Sequence, residues 1–351
     1  MYGAIIGDVI GSPYEHHNIK TKDFPLFSDQ SRLTDDSVMT IAVAEAIMNY
    51  FDFDNGSEDL MPQENQNLLK DRFYIGLRKW GLKYPNAGYG GSFRRWLSEG
   101  GEPYNSWGNG SAMRVSSVAW LFDDIENVRK AAAISASVTH NHPEGIKGAE
   151  CIASAVFLAR DGWLKKDISD FIIREFGYDI SRTCDDIRPS YSFDVSCQGS
   201  VPQAIIAFMD GISFEDVVRN AVSLGGDSDT IAAMAGSIAH AYYGVPSDLR
   251  RSIEAMLTVE QLRVLERYYD CGCKRTVKGN ITGRIRPFAY KYLPPQDQEI
   301  AKYYAESLDI YKTAEAFNED IDRIIKIAEL LKEYSRGIHH TRVRPLRDYL
   351  E

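Results

Sequence analysis

Apolar positions along the chain recur mostly at helical spacing, and convincing runs of alternating apolar and polar residues are absent. Residues 37–50 (SVMTIAVAEAIMNY) predict a helix that opens at the acidic Thr34-Asp35-Asp36. Residues 128–138 are Ala-rich, and residues 146–158 repeat small and apolar side chains. Residues 201–209 predict a helix with Pro202 near its first turn, where proline is favoured. Residues 230–243 predict another, stopped by Gly244 and Pro246. Residues 251–270 read as helical, and residues 296–334 as an amphipathic helical stretch broken near Asn318. The expected fold is all-α: a compact helical bundle over residues 1–250, with a helical extension over 251–351.

Two stretches read as loops. Residues 52–66 are acidic and polar, with Gly56 and Pro62. Residues 83–110 are rich in Gly, Tyr and Trp. A long loop in a compact domain is usually functional or disordered, and aromatic content argues for function. At the N-terminus, Gly3, Gly7 and Gly11 fall on one face of a helix. Each costs about 1 kcal/mol relative to Ala in a helix interior, which implies close approach of another backbone. Asp8 and Glu15 are the reactive candidates of that segment, and Glu15 follows Pro13 into a loop.

Composition narrows the class. The 351 residues are 44% hydrophobic and 26% charged, ordinary for a globular protein. No apolar run approaches the roughly 20 residues of a membrane span. The first residues lack a basic flank and are interrupted by Asp8, so no signal peptide is expected. Five scattered cysteines without a C-x-x-C suggest free thiols in a reducing cytoplasm. Residues 251–351 carry 18 basic and 16 acidic side chains, so the remainder carries 22 and 34. An acidic body argues against broad nucleic-acid binding, and an anionic ligand there would need a cation or a helix N-terminus.

The candidate chemistry starts with two acidic clusters, Thr34-Asp35-Asp36 and Asp227-Ser228-Asp229-Thr230, the second preceded by Gly225-Gly226. One Asp or Thr before a helix is an ordinary cap. Paired carboxylates exceed what capping uses and repel one another without a cation. Oxygen-only ligands suit Mg²⁺, Mn²⁺ or Ca²⁺ rather than zinc. Gly108-Asn109-Gly110-Ser111-Ala112-Met113-Arg114 is either a plain helix-start turn or a phosphate cradle of backbone N–H groups. Thr139-His140-Asn141-His142 lacks zinc spacing, which leaves a ligand-contacting or structurally bonded imidazole. Tyr191 or Phe193 could stack on a base, or pack in the core.

Taken together, GDVIGSPYE, LTDDS, GNGSAMR, THNHPEG, CQGSVP and GGDSDT resemble, in order and spacing, the ADP-ribosylglycohydrolase family over about residues 1–245. The resemblance implies an all-α fold of that type, with a pair of Mg²⁺ or Mn²⁺ ions held at Thr34, Asp35, Asp36, Asp227, Asp229 and Thr230. It implies ADP-ribose contacts at Asn109, Gly110, Ser111, Ala112, Met113 and His140, with Tyr191 near the adenine and Gly226 and Ser228 beside the metal motif.

Glu15 stands where the serine-linkage and O-acetyl-ADP-ribose branch carries its mobile catalytic Glu. Arginine-directed members use an Asp from the loop before GNG, and residues 83–108 contain none. The expected activity is metal-dependent release of ADP-ribose from a protein or a small ADP-ribose conjugate, with serine, other O-linked or O-acetyl substrates favoured. Arginine- or nucleic-acid-linked conjugates are the alternative, and a non-catalytic binding or structural role is a further one. The extension is expected to cover the cleft, mediate dimerisation or contact the modified protein.

Overall fold

The computed structural model describes residues 1–276, 293–307 and 310–337. Among these no strand occurs, and Gly108 and Ser196 form one isolated bridge. The main body opens with α1 (Tyr2–Gly11), α2 (Asp35–Phe53), α3 (Gln63–Lys83) and α4 (Gly91–Glu99). The short α5 (Gly110–Met113) and α6 (Val118–Leu121) lead to α7 (Ile125–Ser137), α8 (Pro143–Arg160) and α9 (Lys165–Phe176). A short α10 (Cys184–Ile187) precedes α11 (Cys197–Asp210), α12 (Phe214–Ser223) and α13 (Ser228–Tyr243). Then follow α14 (Ser247–Glu254) and α15 (Val259–Thr276). A second group comprises α16 (Pro295–Ser307), α17 (Ile310–Phe317) and α18 (Ile321–Gly337). The all-α expectation holds, and no described helix is long and apolar enough to cross a membrane.

At the centre α1 lies antiparallel against α13, and every residue of α1 is buried. The glycine stripe makes this possible. A Cβ on Gly3 would fall 2.2 Å from the Gly236 carbonyl oxygen, and one on Gly7 2.0 Å from that of Ala232. A Cβ on Gly11 would fall 2.5 Å from Asp229 Cα. The C-terminal end of α1 is therefore pressed onto the first turn of α13, where the second acidic cluster lies.

Several boundaries differ from the sequence reading. α2 runs to Phe53 and α3 starts at Gln63, so the first loop is shorter than expected. The aromatic loop contains α4, which buries Phe93, Trp96 and Leu97 on one face. Ser196 caps α11 by accepting from Gly199 N at 3.0 Å, so the helix starts earlier and Pro202 lies inside it. The helix expected over 251–270 is divided at Thr258, which exchanges hydrogen bonds with Gln261 in a capping box. In the second group the expected break is present: Asn318, at φ 50°, ends α17.

Val264, Leu265 and Tyr268 of α15 join the main core, whereas Leu293, Ile300, Tyr304, Ile324 and Leu331 build a separate small one. Among the described residues, none of this second group lines the cleft discussed below. Among the 18 basic residues counted in 251–351, Lys278, Arg284, Arg286, Arg342, Arg344 and Arg347 lie outside the described residues.

The α1–α13 contact has a direct test. Gly7→Ala should cost about 2–3 kcal/mol or more, because a backbone carbonyl cannot yield as a side chain can. Gly91→Ala, with nothing within 4 Å of its added Cβ, should stay within about 0.5 kcal/mol. Urea unfolding of both variants checks this, and equal stabilities would refute the close approach.

Candidate active site

Three chain segments deliver carboxylates to one place. Asp8, on buried α1, accepts hydrogen bonds from Thr34 N at 3.0 Å, Thr34 Oγ1 at 2.7 Å, Ser37 N at 3.1 Å and Ser37 Oγ. It therefore fastens the start of α2, presenting Asp35 and Asp36. Thr34 also caps α2 by accepting from Asp36 N. Asp227 and Asp229 arrive on the first turn of α13, after Gly225 (φ 70°) and Gly226 (φ 74°). Two successive left-handed residues make the sharp entry to this helix, a conformation that glycine adopts readily. Asn18 pins the entry: its amide donates to the Gly226 carbonyl at 2.9 Å and accepts from Gly226 N at 2.7 Å. The same amide donates to the carbonyls of Tyr14 and Glu15, tying the Glu15 turn to α13.

The result is an acidic centre. Asp8, Asp36 and Asp229 each offer an oxygen within 4.8 Å of the others, and Glu15, Asp227 and Asp229 form a second such group. Among the described residues, no Lys or Arg pairs with any of these acids or with Asp35. Burial, then repulsion from Asp8, pushes Asp35 up to about 7. Burial pushes Asp8 up to about 6 against the pull of its hydrogen bonds. Asp36 and Asp229 are raised further, by burial and by neighbouring carboxylates. Glu15 is raised by burial, with His16 opposing. One oxygen of Asp36 is buried without a hydrogen-bond partner. An orphaned carboxylate oxygen among repelling neighbours fits a hard divalent cation.

The centre forms one end of a cleft of about 370 Å³. Glu15, Asp35, Asp36, Asp227, Asp229 and Thr230 line it, as do Asn109, Gly110, Met113 and His140. Asn109 donates from its amide to Asp227 at 2.7 Å, joining the α5 loop to the acidic centre. His140 is buried and held neutral, its pKa well below the usual value because of burial and the nearby Arg114. Its Nδ1 pairs with Thr139 Oγ1 at 2.7 Å, while its Nε2 sits so close to Gly110 that a Cβ there would approach to 3.1 Å.

Other expected positions do not line the cleft. Thr34 is buried with its hydroxyl donating to Asp8, and Ser111 donates instead to the Gly145 carbonyl at 2.7 Å. Ala112 is fully buried, and Ser228 donates to the Gly11 carbonyl. Tyr191 is also absent from the lining: its hydroxyl donates to the Gly199 carbonyl at 2.9 Å and its ring packs on Gly226. Of the two candidate rings Phe193, 49% exposed, is the one that reaches the cleft.

Sequence reasoning gave no role to Arg114, Tyr104 or Gly88. Arg114 is buried and lines the cleft, donating to Ser135 O and Thr139 Oγ1. It stands inside the GNGSAMR motif, which was the available signal. Gly88, at φ 113°, lies against Asp35 Oδ1.

An all-α bundle that brings five acids to one cleft, with Asp8 buried beneath them, defines a protein with a hard-oxygen centre suited to a divalent cation. A sequence profile described as ADP-ribosylglycohydrolase matches residues 1–275, and the chain belongs to that family. It is a glycosyl hydrolase of ADP-ribose conjugates. Among its relatives is ADP-ribosylhydrolase ARH3 of Homo sapiens, 28% identical, covering 72% of this chain and 88% of that protein. Another is ADP-ribosylarginine hydrolase Tri1 of Pseudomonas putida (strain GB-1), 26% identical, covering 70% of each. A solved structure titled ADP-ribosylglycohydrolase-related protein complex shares the fold, with TM-score 0.53, 21% identity, and coverage of 76% of this chain and 96% of that one.

The raised pKa values carry a signed consequence. A carboxyl whose folded pKa exceeds its unfolded value stabilises the fold below the unfolded pKa, and that contribution is lost as pH rises through the folded pKa. Chelated protein should thus lose stability from these acids between about pH 4 and pH 7, the window set by Asp8 and Asp35. Added Mg²⁺ should raise Tm by at least about 2–4 °C at pH 8 and by much less at pH 5. Thermal melts at both pH values check it, and a Tm indifferent to Mg²⁺ at pH 8 would refute a cation site.

Proposed function

We propose that the chain is a divalent-metal-dependent hydrolase that releases ADP-ribose from serine or other O-linked conjugates, or from O-acetyl-ADP-ribose. The carrying observation is the placement of Glu15. It is the half-buried acid at the rim, within 4.8 Å of Asp227 and Asp229, with its backbone tied to α13 through Asn18. The segment 83–108 contributes glycines, Ser92, Phe93, Tyr104 and Ser106 to the cleft but no carboxylate, so Glu15 has no competitor there. The similarity to Tri1 favours arginine linkages as a second reading.

Asp35, Asp36, Asp227 and Asp229, with Thr230, would hold two ions, Mg²⁺ or Mn²⁺, while Thr34 would steady them through Asp8 and the start of α2. When bound, they supply Lewis-acid charge to the ribose hydroxyls and a water. The chain's own residues do the rest. Gly110 and His140 fix the diphosphate end, and Phe193 offers a flat apolar face for adenine. Holding the ribose at the acidic rim lowers the barrier through proximity. The bond from the anomeric carbon to the leaving oxygen breaks through an oxocarbenium-like state while water oxygen bonds to that carbon. Glu15 accepts the water proton and returns a proton to the leaving oxygen, a role suited to its raised pKa. The buried, unpaired thiols of Cys151, Cys184 and Cys197 fit a reducing compartment, and we place the protein in the cytoplasm.

Glu15→Gln should lower kcat by about 10²–10⁴-fold while ADP-ribose affinity changes little. Asp36→Asn should weaken Mg²⁺ binding, read by calorimetry apart from activity. Conjugates with serine, arginine, O-acetyl and nucleic-acid-end linkages, assayed with Mg²⁺ and with chelator, identify the substrate. Full turnover by the Glu15 variant, or activity unaffected by chelator, would overturn the assignment.

A further inference from the structure

A second pocket adjoins the acidic rim, and it is chemically unlike the cleft. It has a volume of about 280 Å³ and is lined by Ser12, Pro13, His16, His17, Gln30 and Arg32. None of these lines the cleft. No carboxylate lines the pocket, although the surrounding body is strongly acidic. The residues come from both sides of Glu15 in the chain and from the segment leading into Thr34. Ser12 Oγ accepts from Arg32 N at 3.0 Å and donates to the Val9 carbonyl at 3.0 Å, which holds the two segments together. His16 Nε2 lies 3.6 Å from Glu15 Oε1. Glu15, which lines the cleft, is thus followed directly in the chain by His16, which lines the second pocket and stays near its carboxyl group.

The geometry points to this pocket as the subsite for the leaving-group side of the substrate, selecting an acidic peptide side chain beside the ADP-ribosylated residue. The inference rests on the hydrolase reading above. The cleft takes ADP-ribose, so the leaving group departs across Glu15, toward His16 and Arg32. An anionic group approaching the acidic centre would otherwise be repelled. Arg32 answers that repulsion: it is exposed, makes no ion pair among the described residues, and presents a planar fork suited to a carboxylate. His16, His17 and Gln30 add donors around it. The pocket's size suits one or two side chains. The acidity of residues 1–250 disfavours an extended polyanion such as nucleic acid.

The test uses the full chain with Mg²⁺ and peptides carrying the linkage it cleaves, differing only in a flanking Asp, Asn or Lys. Expected is a kcat/KM roughly fivefold higher for Asp than for Asn, with Lys below both, and the preference reduced in high salt. In the double variant Arg32→Gln, His17→Gln the ratio should fall to about one. Turnover of a conjugate without a peptide, such as O-acetyl-ADP-ribose, is the reference against which the peptide ratio is read, since the charge of Arg32 also acts on Glu15. Cleavage with no charge preference overturns the subsite and leaves the hydrolase reading standing. Best cleavage of an ADP-ribosylated oligonucleotide, lost in the double variant, also overturns it, in favour of a nucleic-acid phosphate. If no conjugate is cleaved, the hydrolase reading fails. The affinities of the same peptides, measured by calorimetry, then decide the subsite, and equal affinities refute it.

Discussion

The contact between the backbones of α1 and α13 sets the position of everything chemical in this protein. Gly3, Gly7 and Gly11 remove the side chains that would hold the two helices apart, and added Cβ atoms would sit as little as 2.0 Å from carbonyl oxygens of α13. With the axes this close, Asp8 projects toward the first turn of α13 rather than into a layer of apolar side chains. Its four hydrogen bonds then draw in the start of α2. One packing decision therefore sets the convergence of acids from positions 8, 35, 36, 227 and 229.

That convergence works against the fold. Buried carboxylates are costly unless paired, and here burial and mutual repulsion raise their pKa values instead. The surrounding structure compensates with rigid elements: a buried α1, a capped α2, and an α13 entry pinned by Asn18. The strain of like charges is concentrated where a cation can relieve it. Elsewhere in the cleft wall, the basic side chain Arg114 is buried on neutral oxygens, and burial together with its charge keeps His140 neutral.

Much of this was legible in the sequence, for identifiable reasons. The glycine spacing announced a close helix contact because only backbone proximity repays the propensity cost. The doubled acids stood out in the sequence because capping needs one carboxylate. What was hidden depended on tertiary neighbours. Asp8 stood out as reactive, but its grip on Thr34 and Ser37 needs two helices in place. α4 was concealed by flanking glycines, since its helix is secured by burying Phe93 and Trp96 rather than by local propensity. Tyr191 and Phe193 lie on one irregular segment, where no periodicity says which ring faces inward. The contacts of Tyr191 with the Gly199 carbonyl and Gly226, and the place of Phe193 in the cleft wall, depend on tertiary neighbours.

The antiparallel pairing of α1 with α13 also has a consequence in time. α1 is apolar and wholly buried, yet its partner begins only at Ser228. During synthesis at about 5–20 residues per second, the first helix would be made tens of seconds before the surface it needs. Pairings of such long sequence separation form late, after the entropy of closing the intervening loop has been met. The acidic centre, seated on that pairing, is thus among the last parts of the domain to be completed, and a nascent chain that stops short of α13 carries an exposed glycine-faced helix and no assembled cleft.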